Sequence, residues 1–185
     1  MSASNTERNV LAEIVEYKRD VVAEREVQKP LESFIENLKP SERSLKQALS
    51  NTRSDFILEC KKASPSKGLI RKDFNLKEIL NEYKDYASAI SILTDEKYFQ
   101  GDLNFISEAK VTVKQPILCK DFFIEPYQVY EAREVGADAI LLMLSVLDDQ
   151  TYLELAEIAN SLKLDILTEV HDKAELERAA KLEAK

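Results

Sequence analysis

The amino-acid sequence predicts an α/β fold in which about five strand–helix units follow a helical leader. Three observations support this fold class. Short apolar runs recur roughly every 23 to 33 residues from Phe56 onward, which is the spacing of βα units. Helical patterns fill the stretches between these runs. The runs are nearly continuous rather than alternating, which is typical of parallel strands buried on both faces of a sheet.

Residues 1–50 lack strand-like runs and form the predicted helical leader. Two sets of apolar residues recur there at helical spacing with charges between them, and Pro30 and Pro40 interrupt the pattern. Ser41, followed by Glu42, has the character of a helix start. We therefore expect two or three amphipathic helices that cover a larger body. The two apolar sets are Leu11, Ile14, Val15 and Val22, and Leu31, Phe34, Ile35 and Leu38.

Residues 51–185 carry the predicted strands and the helices between them. Pro126 suits the first turn of a helix, and Gly136 suits the left-handed position after a last turn. Asp148 and Asp172 are candidate N-caps of the last two helices. Strands and helices are therefore expected to alternate up to the end of the sequence. The predicted strands lie at 56–58, 89–93, 116–119, 139–143 and 166–167.

Five parallel units are compatible with two architectures. One is an open, doubly wound sheet, and the other is part of a TIM-type (β/α)8 barrel. A barrel needs eight strands and about 250 residues, whereas this sequence has 185 residues and ends just after its fifth predicted helix. A barrel would therefore be truncated after about five units, and periodicity alone leaves the choice between the two architectures open.

Composition and charge exclude several classes of function. The 26 Lys and Arg are outnumbered by 34 Asp and Glu, and a net charge of -8 argues against binding to nucleic acid or to an anionic membrane. No apolar run approaches the roughly 20 residues of a membrane span, and the first residues lack a signal-peptide pattern. Cys60 and Cys119 predict reduced, buried thiols in a cytoplasmic protein. The single histidine, His171, excludes a histidine-rich metal site.

Charged residues follow the predicted strands at their carboxyl ends, where functional groups gather in parallel α/β folds. Glu59 and Lys61 follow the first run, Lys120 the third and Glu169 the fifth. Two carboxylates and two ammonium groups in one cleft supply acids and bases for proton transfer. One such charge alone is more typical of a surface ion pair, but all four at one end favour a catalytic function. Other charged or polar strand-end residues are Asp95, Lys97, Asp121 and Ser145.

The run FILECKKASPSKG at 56–68 resembles the first-strand signature of the indole-3-glycerol phosphate synthase family. Further stretches agree with that family in order and spacing, so the resemblance extends from the helical leader to the last residue. It is especially similar to enterobacterial-type members, in which the synthase is fused to phosphoribosylanthranilate isomerase. The further stretches are ISILTDEKYFQG at 90–101, PILCKDFFIEPYQVYEAR at 116–133, GADAILLMLSVLDD at 136–149 and LTEV at 167–170.

The resemblance implies a TIM barrel with an N-terminal helical extension and a lyase reaction that needs no cofactor. The family's substrate, 1-(2-carboxyphenylamino)-1-deoxyribulose 5-phosphate, loses carbon dioxide and water as an indole ring closes in tryptophan biosynthesis. Lys120 matches the general acid of ring closure. Lys61 matches the lysine that contacts the substrate carboxylate and is a proposed proton donor in dehydration. Glu59 and Glu169 match the acidic pair that orients the lysines and removes protons.

The resemblance also implies substrate-binding residues. Ser64 matches a serine that contacts phosphate, although a Ser-Pro-Ser stretch alone is equally typical of a plain turn. Phe99, Phe122 and Leu141 match residues that line the aromatic part of the substrate pocket. Ordinary core packing is the alternative for these three, above all for Leu141. For His171 we expect a surface or capping position.

The sequence departs from the family at its end. The sixth, seventh and eighth strands of the family, with most of its phosphate-binding loops, have no counterpart in residues 51–185. We therefore expect a partial barrel of strands one to five, from an N-terminal fragment of a longer protein to which an isomerase domain can be fused. The fragment alone is expected to be inactive or nearly so, and its parent active. Glu183 also stands where many relatives have a glycine.

Two other functions stay open at this stage. One is a different phosphosugar isomerase or epimerase on the same barrel, which would not explain the Glu-x-Lys pattern followed by Ser-Pro-Ser. The other is a non-catalytic domain that binds a phosphorylated ligand or acts as a scaffold. Such a domain would bind a product-like anion without turnover. The expected partner of the synthase is a small phosphorylated substrate.

Overall fold

A five-stranded parallel sheet forms the centre of the computed structural model, which describes residues 3–51 and 54–184. The strands are β1 (Ile57–Cys60), β2 (Ala63–Ser64), β3 (Gly68–Leu69), β4 (Ala89–Leu93), β5 (Ile117–Lys120), β6 (Ala139–Met143) and β7 (Asp165–Glu169). The sheet order is β1-β4-β5-β6-β7, and β2 pairs with β3 in a small antiparallel hairpin. Parallel neighbours are joined by helical crossovers, so the predicted series of five strand–helix units is confirmed.

Helices precede the sheet and connect its strands. They are α1 (Ala3–Gln28), α2 (Leu45–Ala48), α3 (Leu76–Tyr83), α4 (Glu96–Phe99), α5 (Asn104–Thr112), α6 (Pro126–Glu134), α7 (Asp149–Ser161) and α8 (Lys173–Lys181). Asp148 and Asp172 cap α7 and α8 with side-chain oxygens, as predicted. Gly136 follows α6 with a φ of 106°, which confirms the predicted left-handed helix end. Of the helices described, none is both long and apolar enough to cross a membrane.

The two faces of the parallel sheet are both buried, against different partners. On one face Ile90 and Ile92 pack with the surrounding helices in the main core. On the other face Ala89 and Leu118 pack with Leu45 of α2. Successive residues of a strand point to opposite faces, so all five residues of β4 are buried. The nearly continuous apolar runs therefore reflect a sheet that is covered on both sides.

The leader contains one long helix, α1, and a series of short turns. The helix predicted around Leu31 to Leu38 is wrong, because two 3-10 turns, Leu31–Ser33 and Ile35–Asn37, take its place. Phe34 lies between these turns and packs against Val22 and Tyr127. The segment therefore adopts the turns that bury the Phe34 ring, rather than the helix that the spacing of its apolar residues predicts.

The helix start predicted at Ser41 is also wrong. The Ser41 hydroxyl donates a hydrogen bond to Oδ1 of Asp138 at 2.7 Å, a partner far away in the sequence. The next helix, α2, begins three residues later than the Ser41-Glu42 signal suggests, with Ser44 as its N-cap. The Ser44 side chain accepts a hydrogen bond from the Gln47 N–H.

Several strand boundaries differ from the predicted runs in ways that affect the strand ends. Phe56 precedes β1 and is 56% exposed, although the sequence predicts it within the first strand. The last strand is longer than predicted and ends at Glu169. Lys120 is likewise the last residue of β5. The backbones of Glu169 and Lys120 are therefore held by the sheet itself rather than by a loop.

Candidate active site

A cavity of about 180 Å³ lies at the carboxyl ends of the parallel strands. The structure brings all four strand-end charges to this cavity, as the sequence predicts, together with three of the four predicted substrate-binding residues. Because parallel strands end at the same edge of a sheet, residues far apart in sequence meet there. The cavity is lined by Glu59, Lys61, Leu93, Phe99, Lys120, Asp121, Phe122, Leu141, Met143 and Glu169.

Glu59 joins the two lysines of the cavity. Its Oε1 lies 2.5 Å from Nζ of Lys61, and its Oε2 accepts a hydrogen bond from Nζ of Lys120 at 3.0 Å. Glu59 and Lys120 are held on neighbouring regions of the sheet by β1 and β5, with β4 between them. The side chains of Glu59, Lys61 and Lys120 are 26%, 34% and 33% exposed, so a ligand in the cavity can reach all three.

The electrostatics of this group keep Glu59 charged. Burial raises the pKa of Glu59, but hydrogen bonds from Lys61 and Lys120 lower it by more, and its pKa lies below the ordinary value. The ionised carboxylate holds two ammonium groups at the cavity. Ammonium groups can attract an anionic ligand and donate a proton to a carbonyl oxygen. The arrangement is therefore suited to acid–base chemistry on an anion.

Glu169 lines the same cavity but contacts a different side chain, His171. Its Oε1 lies 3.0 Å from Nε2 of His171, and Nδ1 of the same ring lies 3.7 Å from Glu175. The His171 side chain is 52% exposed, in agreement with the predicted surface position. The sequence reasoning did not predict the contact between His171 and Glu169. Their spacing in an extended segment, which places both side chains on the same side, was the available signal.

An apolar wall completes the lining of the cavity. The rings of Phe99 and Phe122 lie with their centroids 6.1 Å apart, and Leu141 and Met143 add aliphatic surface from β6. Leu141 is 3% exposed, so it belongs to the sheet interior as well as to the cavity lining. A cavity lined by both charged and aromatic side chains fits a ligand that has both an anionic group and a flat ring.

Ser64 is not among the residues that line the cavity. It lies in β2, where it pairs with Gly68 of β3, and its hydroxyl accepts a hydrogen bond from the Lys67 N–H at 3.3 Å. This geometry is that of a short hairpin turn, which is the simpler of the two interpretations of the Ser-Pro-Ser stretch. The phosphate-binding role of Ser64 stays a prediction.

A buried charge cluster lies directly beside the cavity, and the sequence reasoning missed its central residue. Nζ of Lys18, on α1, lies 2.8 Å from Asp95 and 2.6 Å from Asp121. Burial lowers the pKa of Lys18, but the two carboxylates raise it by more, so the ammonium group stays protonated. Lys18 falls at i, i+4 spacing between Ile14 and Val22, on the buried side of the helix, and that position was the available signal.

The two thiols pack in the core, as predicted. Cys60 and Cys119 are both buried and both free. Burial and, to a smaller extent, the charge of Glu59 raise the pKa of Cys60 to about 12. Burial likewise raises the pKa of Cys119. Neither thiol is a nucleophile at neutral pH, because the thiolate is the reactive form.

The sequence comparisons with known proteins agree in one family. A family model described as indole-3-glycerol phosphate synthase matches residues 11–185. Tryptophan biosynthesis protein TrpCF of Vibrio parahaemolyticus is 56% identical over 176 residues, covering 95% of this chain and 37% of the relative. TrpCF of Salmonella typhi is 54% identical over 178 residues, covering 96% of this chain and 39% of the relative. The chain thus spans well under half of the length of these relatives.

One solved structure, a mandelate oxidase mutant with (S)-mandelic acid, resembles the chain with a TM-score of 0.50. The match covers 78% of this chain and 51% of that chain at 13% sequence identity. At such an identity the likeness concerns the fold alone. Together with the five-stranded parallel sheet, the family match confirms the predicted fold class, a TIM-barrel family with an N-terminal helical extension, here with five strand–helix units.

Proposed function

We propose a function from one premise: the chain belongs to the indole-3-glycerol phosphate synthase family. The protein that carries it converts 1-(2-carboxyphenylamino)-1-deoxyribulose 5-phosphate into indole-3-glycerol phosphate. The reaction forms a carbon–carbon bond of the indole ring and releases one carbon dioxide and one water. It is a lyase reaction and serves tryptophan biosynthesis, the process that the relatives' name states.

The observation that carries the proposal is the position of Glu59 between two lysines in a cavity that two aromatic rings also line. The substrate has a carboxylate, a carbonyl and a flat ring, and the cavity offers a complementary group for each. Lys61 pairs with the carboxylate of the substrate. Phe99 and Phe122 pack against its ring. Lys120 donates a proton to the carbonyl oxygen, which makes the carbonyl carbon electrophilic enough for ring closure.

The two carboxylates complete the proton transfers. Glu59, whose pKa is lowered by hydrogen bonds from both lysines, stays ionised and orients their ammonium groups. Ring closure is followed by cleavage of the carbon–carboxylate bond, which releases carbon dioxide and restores the aromatic ring. Glu169, which lines the same cavity, removes the proton that is lost in the later dehydration. Lys61 donates the proton that leaves with the departing hydroxide as water. The chemistry proceeds by proton transfer between these side chains, without a cofactor.

The remainder of the synthase belongs, in our proposal, to a longer protein. Residues 51–185 supply strands one to five of a barrel, and a further segment supplies the last three strands and the main phosphate site, followed by a phosphoribosylanthranilate isomerase domain as in the fused family members. The chain spans only 37–40% of the relatives' length, which supports this view. Buried, unpaired thiols at Cys60 and Cys119 support a cytoplasmic location.

The test is an assay of the full-length protein encoded by the gene that contains residues 1–185. Incubation with the substrate should yield equal amounts of indole-3-glycerol phosphate and carbon dioxide. Lys61→Met should raise KM about 10-fold or more, since it removes a charged partner of the substrate. Lys46→Met, on α2 at the opposite end of the sheet, is the control and should leave KM unchanged. The isolated chain should show less than a tenth of the full-length rate.

Two outcomes would overturn the proposal. Isomerisation of a phosphosugar without release of carbon dioxide would indicate a different barrel enzyme. Tight binding of indole-3-glycerol phosphate by the full-length protein without any turnover would indicate a binding domain. Turnover by the isolated chain within tenfold of the full-length rate would contradict the proposed need for further strands.

A further inference from the structure

The buried charge cluster joins three separate parts of the molecule next to the cavity. Lys18 belongs to α1, Asp95 follows β4, and Asp121 follows β5. The side chains of the three residues are 1%, 0% and 5% exposed, so solvent screens the interactions between their charges only weakly. The ammonium group of Lys18 is therefore a buried contact that joins the leader to the ends of both strands.

Asp95 connects this contact to the aromatic wall. Its Oδ1 accepts a hydrogen bond from the Tyr98 N–H at 2.7 Å and so caps α4. Its backbone carbonyl accepts from the Gly101 N–H at 2.8 Å, which closes the far end of the same short helix. Phe99, one of the two rings of the wall, is the last residue of α4. The place of Phe99 therefore depends on the place of Asp95.

Asp121 connects the same ammonium group to the catalytic strand end. Its Oδ1 accepts from the Phe122 N–H at 2.8 Å, and its Oδ2 accepts from the Thr94 hydroxyl at 2.7 Å. Lys120, the proposed general acid, is the preceding residue, and its carbonyl oxygen accepts from the Thr94 N–H at 3.2 Å. Asp121 also lines the cavity itself. The second ring of the wall and the proton donor are therefore fixed by this carboxylate.

The charges of the cluster make the arrangement dependent on Lys18. Two buried carboxylates repel each other, and one ammonium group between them replaces this repulsion by two attractions. Removal of the ammonium group leaves two buried negative charges that must separate or take up a proton. Either response changes the distance between the segment that carries Phe99 and the segment that carries Lys120 and Phe122.

We propose that Lys18 is a positioning residue: it sets the separation between Phe99 on α4 and the Lys120–Phe122 segment, and thereby the fit of the aromatic ring of the substrate. The inference rests on the proposed function for the identity of the substrate. Lys18 itself does not line the cavity and touches no reacting atom. Its effect on catalysis passes through Asp95 and Asp121 alone.

A second contact of the leader provides a matched control. The guanidinium group of Arg43 donates to the carbonyl oxygens of Val113 and Gln115 at 3.0 Å each, and to that of Lys110 at 3.2 Å. These acceptors precede β5, at the end of the sheet opposite to the cavity. Arg43 therefore anchors the leader to the same strand as Lys18 does, at the other end and without any link to the cavity.

The experiment compares Lys18→Met, Lys18→Arg and Arg43→Met in the full-length protein. Lys18→Met should lower kcat/KM about 100-fold, because a displacement of about 1 Å at a reacting group has effects of that size. KM should rise and kcat should fall, since both the ring contact and the proton donor move. Lys18→Arg keeps the charge but not the length of the side chain, and should give an intermediate loss of roughly tenfold. Arg43→Met should lower the unfolding temperature and leave kcat and KM within about twofold.

A second measurement is independent of turnover. The Tyr98 and Phe122 amides donate to Asp95 and Asp121, so their hydrogen exchange should accelerate at least tenfold in Lys18→Arg and stay unchanged in Arg43→Met. If the wild-type protein does not turn over the substrate, the proposed function fails, and this exchange pattern still decides the positioning role. If Lys18→Met does not fold, Lys18→Arg provides both measurements. Unchanged kinetics and unchanged exchange in a folded Lys18 variant would overturn the inference, and so would equal changes in Arg43→Met.

Discussion

At the carboxyl end of the sheet the side chains of Glu59, Lys61 and Lys120 are between 26% and 34% exposed, whereas at the amino end the side chain of Asp138 is 0% exposed. Both ends contain carboxylates and ammonium groups in ion pairs. At the carboxyl end, called the open end below, Glu59, Lys61 and Lys120 each keep a side open to the cavity, whereas the Lys18 cluster beside them is buried. At the amino end Lys110 lies 2.7 Å from Asp138 and covers it.

The carboxylate at the amino end is saturated with hydrogen bonds. Asp138 accepts from the Ser41 hydroxyl and the Lys110 ammonium at 2.7 Å each, and from the Ile117 N–H at 3.1 Å. Asp165, before β7, accepts in the same way from the Ser44 hydroxyl at 2.7 Å. These contacts join the leader to the beginnings of the strands. The carboxylates of the amino end thus have their hydrogen-bond partners within the protein.

The difference separates stability from function within one sheet. Buried carboxylates that have all their partners inside the protein stabilise the fold and have no capacity left for a ligand. Partly exposed charged groups that form ion pairs with one another contribute little to stability. They can exchange these partners for a charged ligand when it enters the cavity. The four predictions below test this division, from the largest expected effect to the smallest.

Replacing Lys120, at the carboxyl end of the sheet, should abolish activity and leave the fold in place. Lys120→Met in the full-length protein should lower kcat about 1,000-fold, because general acid catalysis contributes effects of this order. The unfolding temperature should change by less than about 3 °C, since the ion pair of Lys120 is a third exposed. Lys110→Met, the counterpart at the amino end of the sheet (the closed end), should lower stability and keep kcat within twofold. A kcat within tenfold of the wild type in Lys120→Met would contradict the division.

Replacing the carboxylate of the closed end should have the reverse effect. Asp138→Ala removes the acceptor of two buried hydrogen bonds and one partly buried one, and leaves Lys110 without its partner, so the free energy of unfolding should fall by about 3 kcal/mol. Urea unfolding measures this change. Asp149→Ala is the comparison, because its ion pair with Arg178 is 61% exposed on the Asp149 side and should be worth less than about 1 kcal/mol. Equal losses in the two variants would show that burial does not matter at this end.

The open end should have a measurable acid dependence through Glu59. Its pKa is lowered below the ordinary 4.5 in the folded state, so the stability that it contributes is present above pH 4.5 and is lost as the pH falls through the lower, folded value. Wild type should therefore exceed Glu59→Gln in stability by up to about 1 kcal/mol at pH 7, and this advantage should be smaller at pH 3. Thermal unfolding at both pH values provides the comparison. A stability advantage of equal size at the two pH values would mean that Lys61 and Lys120 do not stabilise the ionised form of Glu59.

The smallest effect concerns a backbone strain near the closed end. Lys163, in the turn between α7 and β7, has a φ of 52°, in the left-handed region that favours glycine. Lys163→Gly should stabilise the protein by about 0.5 kcal/mol and leave kcat unchanged. The control is Glu157→Gly within α7, which should destabilise by about 1 kcal/mol because its backbone is helical. A loss of stability in Lys163→Gly would argue against strain at this turn.

The order of the elements and much of the cavity were predictable from local patterns. The apolar runs predicted five parallel strands because burial on both faces leaves a continuous apolar signature, as β4 illustrates. The carboxyl ends of parallel strands share one edge, so Glu59, Lys120 and Glu169 could be expected together before any contact was known. N-caps such as Asp148 were predictable because their hydrogen bonds lie within a few residues.

Tertiary structure decided which of these groups contact one another. Lys120 reaches Glu59 across 61 residues of sequence, while Glu169 turns to His171 instead. Ser41 has the local character of a helix start, but its hydroxyl binds Asp138 and the helix begins later. Spacing along the chain fixes the face and the end of an element to which a side chain belongs. Its distance from groups on other elements depends on how those elements pack, and Lys18 became a buried partner of two strand ends only through the docking of α1.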